Sequence, residues 1–122
     1  MLNELRDTIH ENALAHGFYD DEKINIPEKL MLIVSELGEA MEAYRNNYYA
    51  DWEGHNSLIN RNIEDNNGAF ERLIKNSFED EIADTIIRLL DLCGYMKIDI
   101  DYHVELKMKY NESRPYKHGK IC

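Results

Sequence analysis

The sequence predicts an all-α protein built as a bundle of four to five helices. Apolar residues recur at intervals of three and four along most of the 122-residue chain, which is the spacing of one face of a helix. The helical pattern outweighs any strand signal along the chain, so we expect no β-strand. The length is that of one domain, so we expect a single domain over residues 1–122.

The first two predicted helices lie in the first third of the chain. One covers about residues 3–16, where Leu5 and Ile9 begin a helical stripe that Gly17 ends. The next begins at Pro27, because proline is favoured in the first helical turn. We expect its apolar stripe to face the core, and the stripe comprises Leu30, Ile33, Val34, Leu37, Met41 and Tyr44.

The helical pattern fails over about residues 46–76, where eight asparagines, Gly54 and Gly68 interrupt it. We therefore predict an inserted loop or lid, with one short helix around residues 69–75. Aromatic residues at its start, including Tyr48, could stack on a base or belong to a core or interface.

Two more helices follow this insertion. Ser77 and Asp80 resemble a capping box and begin a helix that continues to about Tyr95, in which Cys93 is expected to be a small buried hydrophobe. The last helix starts after Asp99 as N-cap, and Pro115 prevents its continuation.

Composition excludes several classes of partner. The 24 acidic and 14 basic residues give a net charge of −10, which disfavours nucleic acid and anionic membrane surfaces as partners. The charge is unevenly spread, because residues 1–106 carry −14 and a basic tail over residues 107–122 carries +4. The longest apolar run has five residues and the two cysteines form no framework, so we expect a cytoplasmic protein.

Two helices carry the same carboxylate pattern. Glu36 and Glu39 are three residues apart beside the apolar stripe of their helix, and Glu81 and Asp84 repeat that arrangement. If the two stripes pack together, the four carboxylates can meet at the edge of the interface. Four acids at one point require a cation, and oxygen ligands favour Mg²⁺, with Mn²⁺ as a substitute. Alternatively, such pairs arise by chance on the solvated faces of an acid-rich chain.

The other polar groups allow fewer conclusions. A di-iron site would need Glu-x-x-His on two helices, and the sequence lacks that pattern. Arg88 shares the face of Glu81 and is either an ion-pair partner of the acids or a substrate contact. The basic tail places on one helical face side chains suited to phosphate oxygens, with Lys117 extending it: Lys107, Asn111 and Arg114. These bases could equally be a solvated helix end that complements the helix dipole.

These residues together resemble the MazG-like branch of the all-α nucleoside triphosphate pyrophosphohydrolase superfamily. The Glu-x-x-Glu and Glu-x-x-Asp pairs match its signature, and residues 81–92 are similar to its second motif. The Lys-x-x-Tyr-Asn-x-x-Arg sequence from Lys107, followed by Lys-His-Gly-Lys, resembles the ending of a phage and bacterial subgroup. Two features depart from the pattern. Ser35 stands where many members have another Glu, and the 41 residues between Glu39 and Glu81 exceed the usual spacing.

The resemblance implies a function for each of these groups. It implies magnesium-dependent hydrolysis of a nucleoside triphosphate between the α and β phosphates, by a homodimer or homotetramer of helical bundles. The metal ligands and catalytic residues would be Glu36, Glu39, Glu81 and Asp84. The substrate phosphates would contact Lys107, Asn111, Arg114 and Lys117. Two alternatives remain: a nucleotide-binding sensor without turnover, and an acidic helical interaction protein such as a DNA mimic.

Overall fold

The computed structural model describes residues 1–20 and 23–116, and within them it contains six α-helices and no β-strand. The helices are α1 (Leu2–Ala15), α2 (Ile26–Arg45), α3 (Trp52–Asn60), α4 (Asn66–Leu73), α5 (Phe78–Tyr95) and α6 (Ile100–Glu112). The all-α class is confirmed, and the described residues contain one helix more than the upper number predicted. None of these helices combines the length and apolar character that crossing a membrane requires.

The described residues divide into two compact units. The terminal unit consists of the described residues of Met1–Glu22 and Leu90–Cys122, and the central unit consists of Lys23–Leu89. The terminal unit therefore contains α1, α6 and the last residues of α5. The central unit contains α2, α3, α4 and the first part of α5, and it holds all four predicted metal ligands.

The segment predicted as an irregular insertion contains two helices, α3 and α4, which pack on each other. Both begin with the same short pattern. The Asp51 carboxylate caps α3 by accepting from Gly54 N–H at 2.8 Å, and the Asp65 carboxylate caps α4 by accepting from Gly68 N–H at 2.7 Å. A Cβ atom at position 54 would lie 2.4 Å from the Asp51 carboxylate, so glycine makes room for the cap. The two glycines that interrupt the apolar pattern of the sequence therefore help two helices to begin.

Asparagine has a matching role at helix ends. Asn47 and Asn62 have φ angles of 54° and 55°, the left-handed conformation that asparagine tolerates better than most residues. Beyond Asn47, the N–H of Tyr48 donates to the Ala43 carbonyl at 2.9 Å, which closes the last turn of α2. Lys97, which follows α5, has a φ of 56°, although lysine tolerates the left-handed conformation less well than asparagine does.

The terminal unit is held together by an exchange of helix caps between α1 and α6. The Asp101 carboxylate accepts from the N–H groups of Leu2 at 2.7 Å and Asn3 at 2.9 Å, at the start of α1. In return, the Asn3 side-chain oxygen accepts from Ile100 N–H at 3.0 Å and Asp101 N–H at 3.3 Å. These backbone donors lower the pKa of Asp101 to about 2. Each helix thus satisfies the free amide groups of the other.

The core of the terminal unit contains Cys93, which is buried as predicted, together with Ala13, Leu90 and Leu92. Beside this core, one Asp91 oxygen lies 2.9 Å from His10 Nδ1, and the other accepts from the Tyr19 hydroxyl at 2.7 Å. Burial, reinforced by that hydrogen bond, raises the pKa of Tyr19. Gly94 permits this packing, because a Cβ atom there would lie 2.6 Å from the His10 Cβ.

The buried face of α2 in the central unit differs from the predicted one. Of the predicted stripe, Ile33 is buried, whereas five members have side chains between 47% and 58% exposed: Leu30, Val34, Leu37, Met41 and Tyr44. We call these five residues the exposed α2 stripe. The face that is buried instead contains Ile33, Glu36, Ala40 and Ala43. The helical period correctly groups the apolar residues on one side, but it does not determine which side the rest of the unit covers.

Candidate metal centre

Two of the predicted ligands are among the most buried residues of the central unit. Glu36 is 7% exposed on α2, and Glu81 is 3% exposed on α5. We expected the carboxylates to lie at the edge of a buried apolar stripe, and this placement is wrong for Glu36 and Glu81. They lie on the buried side of α2 and α5, where the small side chains of Ala40 and Ala43 leave room beside them.

The carboxylates form two overlapping groups. In the first, one oxygen from each of Glu36, Glu39 and Glu81 lies within 4.8 Å of the others. In the second, one oxygen from each of Asp80, Glu81 and Asp84 also lies within 4.8 Å of the others. Glu81 belongs to both groups, so the structure brings together all four residues predicted from the sequence.

Asp80 is the member that the sequence analysis did not assign to the site. The sequence indicates a capping role for it, and Asp80 N–H does donate to the Ser77 hydroxyl oxygen at 3.2 Å. Its own carboxylate accepts from Asn76 N–H at 2.8 Å. The available signal was its four-residue spacing from Asp84, which places the two carboxylates on one face of α5.

Two further predictions concern the neighbours of this cluster. Arg88 is an ion-pair partner of the acids, because its Nε donates to Glu36 Oε1 at 2.7 Å. Ser35, the residue that departs from the family signature, is exposed, and its hydroxyl donates to the Leu32 carbonyl of its own helix at 2.7 Å. Ser35 therefore adds no ligand to the described cluster.

The protonation of the cluster reflects its crowding. Burial, together with hydrogen bonds to Glu36 and Glu39, raises the pKa of Glu81 to about 8. Burial and the charges of Asp80 and Glu36 raise the pKa of Asp84. Burial alone would also raise the pKa of Glu36, but the hydrogen bonds from Arg88 and Glu81 lower it. Without a cation, the cluster therefore retains a proton near neutral pH, centred on Glu81.

Two oxygens of this cluster have no protein donor. Glu36 Oε2 and Glu81 Oε2 are buried and accept no hydrogen bond from the described residues. A buried carboxylate oxygen without a partner is costly, and a bound cation would satisfy both. Five carboxylates and no nitrogen or sulfur ligand suit a hard divalent cation with oxygen preference. The residues therefore fit a magnesium or manganese ion.

The predicted phosphate-binding residues belong to the terminal unit. Lys107 Nζ lies 4.9 Å and Arg114 Cζ 5.6 Å from the centre of the Tyr110 ring, so these two cations share one aromatic side chain. Asn111 is exposed at the end of α6. The predicted helical face extends only to Glu112, where α6 ends, so Arg114 follows the helix rather than continuing it. Lys117 lies outside the described residues.

The chain matched no protein-family model, and searches of curated proteins and of solved structures found no significant match.

Proposed function

We propose that this protein is a MazG-like nucleoside triphosphate pyrophosphohydrolase that requires magnesium. Water would add to the α-phosphorus, and the bond from that phosphorus to the bridging oxygen would break. The products are a nucleoside monophosphate and pyrophosphate. The observation that carries this proposal is the pair of carboxylate groups sharing Glu81, with two buried oxygens that lack a donor.

The cluster has the ligand chemistry that this reaction needs. Glu36, Glu39, Glu81 and Asp84 would hold the cation, with Asp80 as an additional ligand. Bound Mg²⁺ supplies charge neutralisation for the phosphates and lowers the pKa of bound water. Oxygen ligands suit it because magnesium keeps coordination positions for water and phosphate oxygens.

The protein side chains contribute position and proton transfer. Arg88 fixes one oxygen of Glu36, so that its other oxygen is presented without a protein partner. One carboxylate of the cluster orients the attacking water and accepts its proton. No side-chain nucleophile is required, since water attacks directly.

The basic residues of the terminal unit would bind the phosphates. Lys107, Asn111, Arg114 and Lys117 retain this proposed role, which is supported by the charge and donor chemistry of their side chains. Replacing Arg114→Ala should raise the KM for triphosphate. The matched control is Lys109→Ala, because Lys109 lies on α6 and pairs with Glu105 at 3.1 Å. Equal KM values for the two variants would contradict this role.

The test of the activity is pyrophosphate release from a panel of canonical and modified nucleoside triphosphates with magnesium. We expect release by the wild type and a loss of at least about 100-fold in Glu81→Gln and in Asp84→Asn. The control is Glu53→Gln, because Glu53 is exposed on α3 and its replacement also removes one negative charge. Absence of turnover on every substrate would refute the proposed enzymatic activity. Nucleotide binding without turnover would then favour the nucleotide-binding sensor.

We also propose that the chain forms a homodimer or homotetramer. The exposed α2 stripe has the alternating four- and three-residue spacing of a coiled-coil interface, and all five of its side chains are uncharged. A stripe of large exposed apolar side chains is typical of an interaction surface. A second copy fits because the same stripe can pair with itself about a two-fold axis.

A further inference from the structure

A pocket of about 350 Å³ opens beside the carboxylate cluster in the central unit. Its lining includes Glu39 and Glu81 of the cluster, and the other polar side chains come from the last turns of α2, the segment after it and the residue two before α5: Glu42, Asn46, Tyr48 and Asn76. The volume is near the lower end of the range of about 300–1,000 Å³ for small-molecule pockets. The pocket can therefore accept part of a nucleotide next to the reacting phosphates.

The charge of the lining disfavours the phosphates in the part of the pocket away from a bound cation. Three carboxylates line the pocket, and none of the described lining residues is Lys or Arg. A phosphate group away from a bound cation would be repelled there. The uncharged nucleoside portion has no such penalty, and its amino and hydroxyl groups are hydrogen-bond donors.

The polar side chains of the lining outside the carboxylate cluster offer hydrogen-bond acceptors. Asn46 Nδ2 lies 3.4 Å from Glu42 Oε1, and this orientation leaves the Asn46 side-chain oxygen directed away from Glu42 as an acceptor. Glu42 itself can only accept when ionised. Asn76 adds an amide that makes no side-chain hydrogen bond to the described residues.

Tyr48 is the aromatic residue among those that line the pocket, and its position is fixed. Its hydroxyl donates to the Lys75 carbonyl at 2.6 Å, and its own carbonyl accepts from Phe78 N–H at 2.9 Å. The ring is thus held at both ends of the residue, and an aromatic face beside polar groups suits a planar base.

We propose that this pocket binds the nucleoside portion of the substrate through its hydrogen-bond donors, with Asn46 and Asn76 as the residues that determine specificity. The proposal rests on the function proposed above. The donor is either an exocyclic amino group of the base or a hydroxyl of the sugar. Both would be bound by the same acceptors, and they are distinguished by experiment.

The test measures the Kd of nucleoside monophosphates by calorimetry in the presence of magnesium, which does not depend on turnover. The monophosphate of cytidine is compared with that of uridine, and the monophosphate of adenosine with that of inosine, to detect a base amino group. Cytidine is compared with deoxycytidine to detect the sugar hydroxyl. We expect about a tenfold lower Kd for the ligand that carries the donor in at least one comparison, because the analogue without it leaves an acceptor of the pocket unpaired.

Asn46→Ala should remove that preference, while the affinity for inorganic pyrophosphate, which has no nucleoside, remains that of the wild type. Asn46 is exposed at the end of α2, so this variant is expected to fold. The control Asn60→Ala, at the end of α3, should keep the preference. Equal affinities in all comparisons, or an unchanged preference in Asn46→Ala, would overturn the proposal.

These outcomes are separable from failure of the enzymatic function. Persistent pyrophosphate release with no monophosphate binding at millimolar concentration would overturn the pocket assignment alone. If the wild type released no pyrophosphate from any triphosphate tested, the proposed activity would be overturned, whatever the binding preferences are.

Discussion

Raising the pH should destabilise the protein when no divalent cation is present, because Glu81 holds its proton more tightly in the folded chain. Its pKa rises from an ordinary value of 4.5 to about 8. Below pH 4.5 both folded and unfolded states are protonated, and the stabilisation is complete. As the pH increases towards 8, the unfolded state releases its proton first, so folding becomes less favourable.

The magnitude follows from the difference between these two pKa values. At about 1.4 kcal/mol for each pH unit, the upper bound is about 5 kcal/mol. The lowered pKa of Glu36 contributes stability that is lost only as the pH falls below 4.5, so it changes little between pH 5 and pH 8. Part of the Glu81 effect lies below pH 5 and part lies above pH 8, so we expect a loss of about 2–4 kcal/mol in the free energy of unfolding between pH 5 and pH 8.

The assay is urea unfolding in a chelating agent at several pH values, comparing the wild type with Glu81→Gln and with the exposed control Glu53→Gln. Glutamine resembles the protonated acid, so Glu81→Gln should show a smaller dependence on pH and should exceed the wild type in stability at pH 8. Millimolar magnesium should restore the wild type at pH 8 and should have little effect on Glu81→Gln. Parallel curves for the wild type and Glu81→Gln would refute the reasoning about this cluster.

Three further predictions concern the helix ends and the exposed α2 stripe. Asp101→Asn should lower the Tm at pH 7, because the cap requires the ionised carboxylate. The difference in Tm from the wild type should shrink as the pH falls from 3.8 towards 2. Equal Tm values at pH 7 would contradict this role. Lys97→Gly should raise the free energy of unfolding by about 1 kcal/mol in urea, because glycine adopts the left-handed conformation without steric cost, whereas Lys109→Gly within α6 should lower it by about as much. Leu37→Glu should shift the sedimentation coefficient to that of a monomer, and an unchanged value would exclude this stripe as the interface.

The helices themselves were largely predictable from the sequence. The bounds of α1, α2 and α5 differ from the predicted ones by a residue or two, because long amphipathic patterns with clear ends determine them. By contrast, α3 was missed because it has only nine residues and contains Gly54. Its first turn depends on a side-chain cap, which a search for apolar periodicity does not detect.

The sequence predicted four of the five carboxylates of the candidate site, but neither Asp80 nor the surroundings of the cluster. The three-residue spacing on two helices placed Glu36, Glu39, Glu81 and Asp84 together, since spacing fixes which side chains share a face. Which face is buried depends on the residues that pack against it. The small Ala40 and Ala43 allow close approach beside Glu36, whereas the five residues of the exposed α2 stripe remain uncovered.

The exchange of caps between α1 and α6 has a consequence for how these helix ends open. The amides of Asn3 and Ile100 depend on each other's helix for their hydrogen-bond acceptors, so fraying of one end removes the cap of the other. Their amide hydrogens should exchange with solvent deuterium in one cooperative step, at a rate governed by separation of the two helices. The two helix ends, almost 100 residues apart in the chain, therefore behave as a single unit of local unfolding.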